Sequence, residues 1–190
     1  MHLILGSQSP RRRELLAGMG VTFTAVNIHA DESFPPHLKG PDIPLFISRA
    51  KAEAYRPLLC RDQLLITADT IVWVDGEQLG KPHDEADAQR MLTLLSGRTH
   101  QVYTGVTLTS VDKQTSFTDT TDVTFRPLTQ EEIRFYIREY QPLDKAGAYG
   151  IQEWIGYIAC TTLHGSYFNV MGLPTEKLYE ALQSFIPKKQ

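Results

Sequence analysis

Leu64-Leu65-Ile66-Thr67-Ala68-Asp69-Thr70-Ile71-Val72-Trp73-Val74 is followed directly by Asp75-Gly76 and then by Glu77-Gln78-Leu79. A run this rich in apolar and β-branched residues predicts a central strand. Asp-Gly favours a type I′ turn, which sends the chain back as a hairpin through Glu77 to Leu79. Upstream, Leu3-Ile4-Leu5 reads as a short buried strand. Ser9 supplies an N-cap and Pro10 the first helical position, so a helix is expected to about Met19. A second strand is expected over Thr22–Ile28. The stretch from Ala30 to Pro44 holds four prolines and predicts a loop, before a helix over Leu45–Tyr55.

Downstream of the hairpin, Asp84 caps a helix in which Ala88, Met91, Leu92 and Leu95 form an apolar stripe, and Gly97 ends it. Two alternating strands are expected over 100–110 and 116–125, joined around Asp112-Lys113. Thr129 and Glu132 form a capping box for a helix with Ile133, Tyr136, Ile137 and Tyr140 on one face. Gly147, Gly150 and Gly156 punctuate the stretch before a strand near Tyr157–Cys160. Pro174 opens a terminal helix with Leu178, Leu182 and Phe185 inward. The order predicts an α/β fold, a mixed sheet flanked by helices.

The length of 190 residues suits one domain, expected here over 1–190 with two lobes around a central cleft. No segment has the apolar length of a membrane helix, and no secretory pattern opens the chain, so a cytoplasmic protein with no membrane partner is expected. Cys60 and Cys160 lack metal-ligand spacing and read as reduced thiols. A formal charge of -3 argues against general affinity for nucleic acid.

Three places carry a local energetic cost. Arg11, Arg12 and Arg13 occupy the first turn of a helix, where the macrodipole is already positive. Two guanidinium groups ~5 Å apart repel by roughly 3 kcal/mol at an effective dielectric of about 20. A bound anion removes the conflict, because backbone N–H groups, dipole and arginines then converge on it, with Ser7 and Ser9 as hydroxyl donors. The alternative is three side chains splayed into water. Asp69 interrupts the central strand on the face shared with Thr67 and Ile71; such a carboxylate is paired with a cation, bound to a metal or used as a base. Lys81, between Gly80 and Pro82, follows the hairpin that begins beside Asp69, and read singly it is a surface lysine. Lys51 and Glu53 read singly as a solvated helix face.

Several cations, one costly carboxylate and the acidic pair Asp31-Glu32 together describe a site for a polyphosphate and a divalent metal, Mg²⁺ or Mn²⁺, held by Glu32 and Asp69. Neither a Walker pattern nor a dinucleotide glycine fingerprint is present.

Ser7-Gln8-Ser9-Pro10-Arg11-Arg12, Lys51-Ala52, Ala68-Asp69-Thr70, Gly80-Lys81-Pro82 and Ala146-Gly147-Ala148-Tyr149-Gly150-Ile151-Gln152, in this order, resemble the Maf family. Gly172-Leu173-Pro174 extends the likeness toward the C-terminal end. Gly6-Ser7-Gln8 departs from the small-residue run of the family and leaves the phosphate turn intact. The resemblance implies a nucleoside triphosphate pyrophosphatase with a strongly twisted mixed sheet similar to that of inosine triphosphatases, a divalent metal and a homodimer. It further implies a link to division arrest or to clearing non-standard nucleotides. Carried over by position, Asp69 is the proton acceptor, Arg12, Lys51 and Lys81 hold phosphates, and Glu32 serves the metal.

Arg11, Thr70 and Gln152 resemble the branch acting on dTTP and UTP. A glutamine amide offers a donor and an acceptor to the carbonyl and N–H of uracil or thymine. Gln152 as a plain surface amide is the competing reading. Two other functions stay open: a nucleotide-binding regulator of cell division without turnover, and a phosphohydrolase releasing one phosphate at a time.

Overall fold

The long buried run becomes strand β3 (Gln63–Val74) in the computed structural model, which describes residues 1–185. Strand β1 (His2–Gly6) lies parallel to β3, with Leu5 opposite Ile66, and β2 (Phe23–Val26) lies parallel to β1, with Leu3 opposite Phe23. Helix α1 (Pro10–Gly18) connects these two strands. Strand β4 (Glu77–Leu79) returns antiparallel on β3, pairing Leu79 with Val72. Asp75 and Gly76 between them have φ of 51° and 84°, the two positive values that a type I′ turn requires. Strands β5 (Thr99–Thr109), β6 (Gln114–Phe125) and β7 (Cys160–His164) complete a seven-stranded sheet. Its order is β2-β1-β3-β5-β6-β7, with β4 on β3, and β7 runs antiparallel to β6.

The chain divides into two compact units, each assembled from separate segments. Residues 1–69, 104–119 and the segment from Gly172 form the first. Here helix α2 (Asp42–Tyr55) buries Ala52 against Ile4 and Leu65, with Val26, Ile28, Tyr55 and Leu59 around them. Close backbone approach is built in at Gly105, where a Cβ would stand 2.4 Å from Leu45 N and from Pro44 C. Helix α7 (Thr175–Gln183) belongs to the same unit, and its Lys177 pairs with Asp119 at 2.5 Å.

Residues 70–103 and 120–171 form the second unit. Its core gathers the stripe of helix α3 (Glu85–Leu95), namely Ala88, Met91, Leu92 and Leu95, with Ile133, Tyr136 and Ile137 of helix α4 (Gln130–Tyr140). Both helix starts follow the expected chemistry. The Asp84 side chain accepts the Asp87 N–H, and Thr129 and Glu132 form a reciprocal capping box.

Several elements depart from the sequence reading. The segment expected as a strand near Tyr157–Cys160 is helix α5 (Trp154–Ala159), and β7 starts only at Cys160. Burial explains it: Ile155 and Ala159, four apart, are 1% and 0% exposed, while Tyr157 between them is 83% exposed. A strand would have put all three on one face; a helix separates them. A short helix α6 (Tyr167–Met171) follows β7. Helix α2 starts at Asp42, three residues before the expected Leu45, with Pro44 tolerated in its first turn. Tyr140 is exposed rather than on the buried face, and Phe185 is half-buried with Lys113 Nζ 4.4 Å above its ring. Both cysteines are free, and no helix among the described residues is long and apolar enough to cross a membrane.

Candidate active site

The turn from β1 into α1 is built by two hydroxyl-to-backbone contacts. Ser7, buried at the end of β1, accepts the Ser9 N–H on its Oγ at 3.2 Å. Ser9 then caps the helix, accepting the Arg12 N–H at 3.4 Å, and Pro10 takes the first helical position as expected. No acidic residue stands in the first turn, so the positive helix end meets only arginines. Arg12 is half-buried and donates from Nε to the Gly172 carbonyl at 2.8 Å. Burial lowers its pKa first and foremost; Asp69 and Glu32 act in the opposite direction, and Arg11 adds to the lowering. One guanidinium edge is thereby committed to the backbone, while the group still feels both carboxylates.

Asp69 and Thr67 share one face of β3, as strand alternation requires, and α2 lies on that face. Thr67 donates to the Ser48 carbonyl at 2.7 Å, and three residues further along α2 Lys51 donates to Asp69 Oδ1 at 2.9 Å. One helical step is matched to one strand step, and each of these two polar strand residues meets a partner on α2. Lys51 Nζ also lies 2.9 Å from Glu32 Oε1. The ammonium thus joins two carboxylates: Lys51 and Asp69 side chains are only 12% and 14% exposed, Glu32 58%. The paired-carboxylate reading of Asp69 is therefore realised, and it brings in Glu32, the second expected metal ligand. No cluster of three or more His, Cys, Asp or Glu side chains suited to a metal exists among the described residues. Two carboxylates are what a hard divalent ion needs from the protein when phosphate oxygens and water supply the rest.

In the second unit, the Gly80 carbonyl accepts the Gly147 N–H at 3.0 Å, which ties the segment carrying exposed Lys81 to the glycine-rich loop. Gly147 has φ of 68°, and a Cβ there would lie 2.8 Å from Val72 Cγ2. Gln152 follows in the same loop. Its side-chain Oε1 is buried and has no hydrogen-bond partner among the described residues. Thr70 continues β3 without a break, half-buried, on the face opposite Asp69.

The Maf-like protein family matches residues 2–185, which is nearly the entire described chain. The chain belongs to the Maf family. Among relatives of this Maf chain, the dTTP/UTP pyrophosphatase of Phocaeicola vulgatus is 56% identical over 182 residues, spanning 95% of this chain and 94% of the relative. The dTTP/UTP pyrophosphatase of Bacteroides thetaiotaomicron is 54% identical over the same length and coverage. The solved Ham1 protein of Staphylococcus aureus shares the fold at a TM-score of 0.58 and 16% identity, covering 98% of this chain and 100% of that one.

Within this Maf fold the first unit brings together Arg12, Glu32, Lys51 and Asp69 around one ion-pair group, with Ser7 and Arg11 in the adjoining turn. Thr70, Lys81 and Gln152 lie in the second unit. Sequence reasoning singled out Gly172 only as part of a motif and gave it no role at the site; its carbonyl accepts from Arg12 across 160 positions, and a backbone acceptor leaves no residue-type signal. It also assigned Tyr136 only to an apolar face. Its hydroxyl in fact donates to Glu153 Oε2 and accepts the Gly150 N–H at 3.0 Å. An acidic residue directly after Gln152 was the available hint.

Proposed function

We propose that this chain hydrolyses dTTP and UTP to the nucleoside monophosphate and pyrophosphate. The observation that carries the chemistry is the mid-strand carboxylate of Asp69, shielded from water and held by Lys51 beside Glu32 and Arg12. Identity of 54–56% to proteins bearing that activity supports the substrate class.

Asp69 takes a proton from the water that attacks the α-phosphorus, and pyrophosphate leaves. Arg12, Lys51 and Lys81 hold the phosphates and stabilise charge growing on the leaving group. Ser7 adds a hydroxyl at the phosphate turn. Glu32 and Asp69 would hold a divalent cation, Mg²⁺ or Mn²⁺, which would neutralise phosphate charge and make water more acidic. Lys51, which spans both carboxylates, keeps them oriented. Arg11, Thr70 and Gln152 select the base. The Gln152 amide supports this choice, since its donor and acceptor match the carbonyl and N–H of uracil or thymine. The enzyme acts in the cytoplasm as a homodimer; sedimentation velocity measures the latter.

The test is pyrophosphate release from dTTP, UTP, CTP, GTP, ATP and methylated GTP with Mg²⁺ or Mn²⁺, before and after chelation. Pyrophosphate from dTTP and UTP, abolished by chelation, is the expected result. Asp69→Asn should bind nucleotide yet lose about 10²–10⁴ in kcat. Orthophosphate as first product, or binding without any product, overturns the assignment.

A further inference from the structure

Gln152 is flanked by residues that converge on a single oxygen atom. The Tyr136 hydroxyl accepts the Gly150 N–H at 3.0 Å and donates to the Glu153 carboxylate, so the backbone before Gln152 and the side chain after it share one anchor. The Glu153 N–H also closes onto the Gly150 carbonyl at 3.0 Å. Nothing about this anchor is loose. Tyr136 is 0% exposed, and Lys145, itself buried, lies 3.2 Å from the other Glu153 oxygen and 2.7 Å from Asp144. Burial, then the bond to Glu153, keeps the phenol protonated far above its ordinary range. Space is equally tight: a Cβ on Gly150 would fall 2.9 Å from Glu153 Cδ and 3.1 Å from Gln152 Nε2. One residue upstream of Tyr149, Ala148 is held at φ of 59°, a conformation that persists only where the surroundings impose it.

An amide reads a base ambiguously unless its rotation is blocked. Turned one way it presents an acceptor to the N3–H of uracil; turned over it presents a donor to the N3 of cytosine. Selecting uracil over cytosine therefore requires an amide that cannot turn. We infer that Tyr136 and Glu153 are positioning residues that fix the Gly150–Glu153 turn against which the Gln152 amide packs, restrict its rotation and so set the preference for uracil and thymine over cytosine. The inference rests on Gln152 being the base reader.

Four variants separate the two ideas, with kcat and KM measured for UTP and CTP and folding followed by circular dichroism. Gln152→Ala is expected to abolish the UTP preference; if it does not, the base reading itself fails. Tyr136→Phe removes only the hydroxyl. It is expected to raise KM for UTP about tenfold, to lower kcat by less than about threefold, and to narrow the UTP/CTP ratio by a similar tenfold. A folded Tyr136→Phe enzyme that keeps the wild-type ratio, while Gln152→Ala loses it, overturns the inference. Should Tyr136→Phe not fold, Glu153→Gln and Glu153→Leu decide. Glutamine still accepts from the phenol and retains the ratio; leucine cannot and loses it. Equal ratios in those two also overturn the inference.

Discussion

The ammonium of Lys51 lies 2.9 Å from the Asp69 carboxylate, joining the middle of α2 to the middle of β3. Both side chains are largely withdrawn from water, so neither charge is comfortable without the other. Lys51→Met should destabilise the protein by about 1–3 kcal/mol, less than for a fully buried pair because solvent still reaches the edge of the group. Urea denaturation measures it. Adding Asp69→Leu to the same chain should return most of the loss, and strict additivity of the two substitutions would show that the pair contributes no coupling.

Arg12 donates from Nε to the Gly172 carbonyl, and in the proposed function the same planar group also meets a phosphate. Lysine has one head group and cannot serve both. Arg12→Lys should raise KM for UTP at least about tenfold, the equivalent of one charge-assisted hydrogen bond. Steady-state kinetics at constant ionic strength gives the answer; an unchanged KM would remove Arg12 from phosphate binding.

Stability should fall on mild acidification through His100. This imidazole is buried, its Nε2 2.8 Å from the Tyr149 hydroxyl and its ring edge-on to Phe125 at 5.0 Å. Burial drives its pKa down from 6.5 to about 4. The unfolded chain therefore takes up the proton first: the stability is fully present above pH 6.5 and is lost progressively as pH falls toward 4, about 3 kcal/mol in all. Thermal melts at pH 7.5, 6 and 5 follow the loss. His100→Gln, which keeps a partner for Tyr149, should flatten that part of the profile.

Gly105 leaves no room for a side chain against the start of α2, where a Cβ would press on Leu45 and Pro44 backbone atoms at 2.4 Å. Backbone cannot swing aside as a flexible side chain can. Gly105→Ala is expected to cost about 3 kcal/mol or more, with α2 and its Lys51 displaced and activity reduced in step. Calorimetry paired with the pyrophosphate assay checks both effects.

How much of this was legible beforehand depended on the range of the interaction. Asp75-Gly76, Thr129 with Glu132, and Ser9-Pro10 act over a few residues, and each produced the turn or cap that its chemistry dictates. Asp69 was recognisable because a carboxylate in an apolar strand demands an explanation. Its partner was not, since Lys51 is 18 residues away and read by itself as a solvated lysine. Ile155–Ala159 failed for a different reason. A short apolar run carries either period, and the choice fell to tertiary packing and to Gly156, where a Cβ would overlap the Ile151 carbonyl oxygen at 1.8 Å. The phenol anchoring Gln152 stayed hidden because tyrosine on an amphipathic helix already has a sufficient role as filler.

The interleaved segments of the two units bear on synthesis. Residues 1–69 leave the ribosome early, and the parallel strands β1, β2 and β3 are then available to pair. The unit they found still awaits residues 104–119 and the segment from Gly172, and the carbonyl that seats Arg12 comes with that last piece. A nascent chain halted before Gly172 would thus carry Lys51 and Asp69 but lack the carbonyl that the Arg12 Nε donates to. On the proposed function, the arrangement that receives phosphate is therefore completed only near the end of translation.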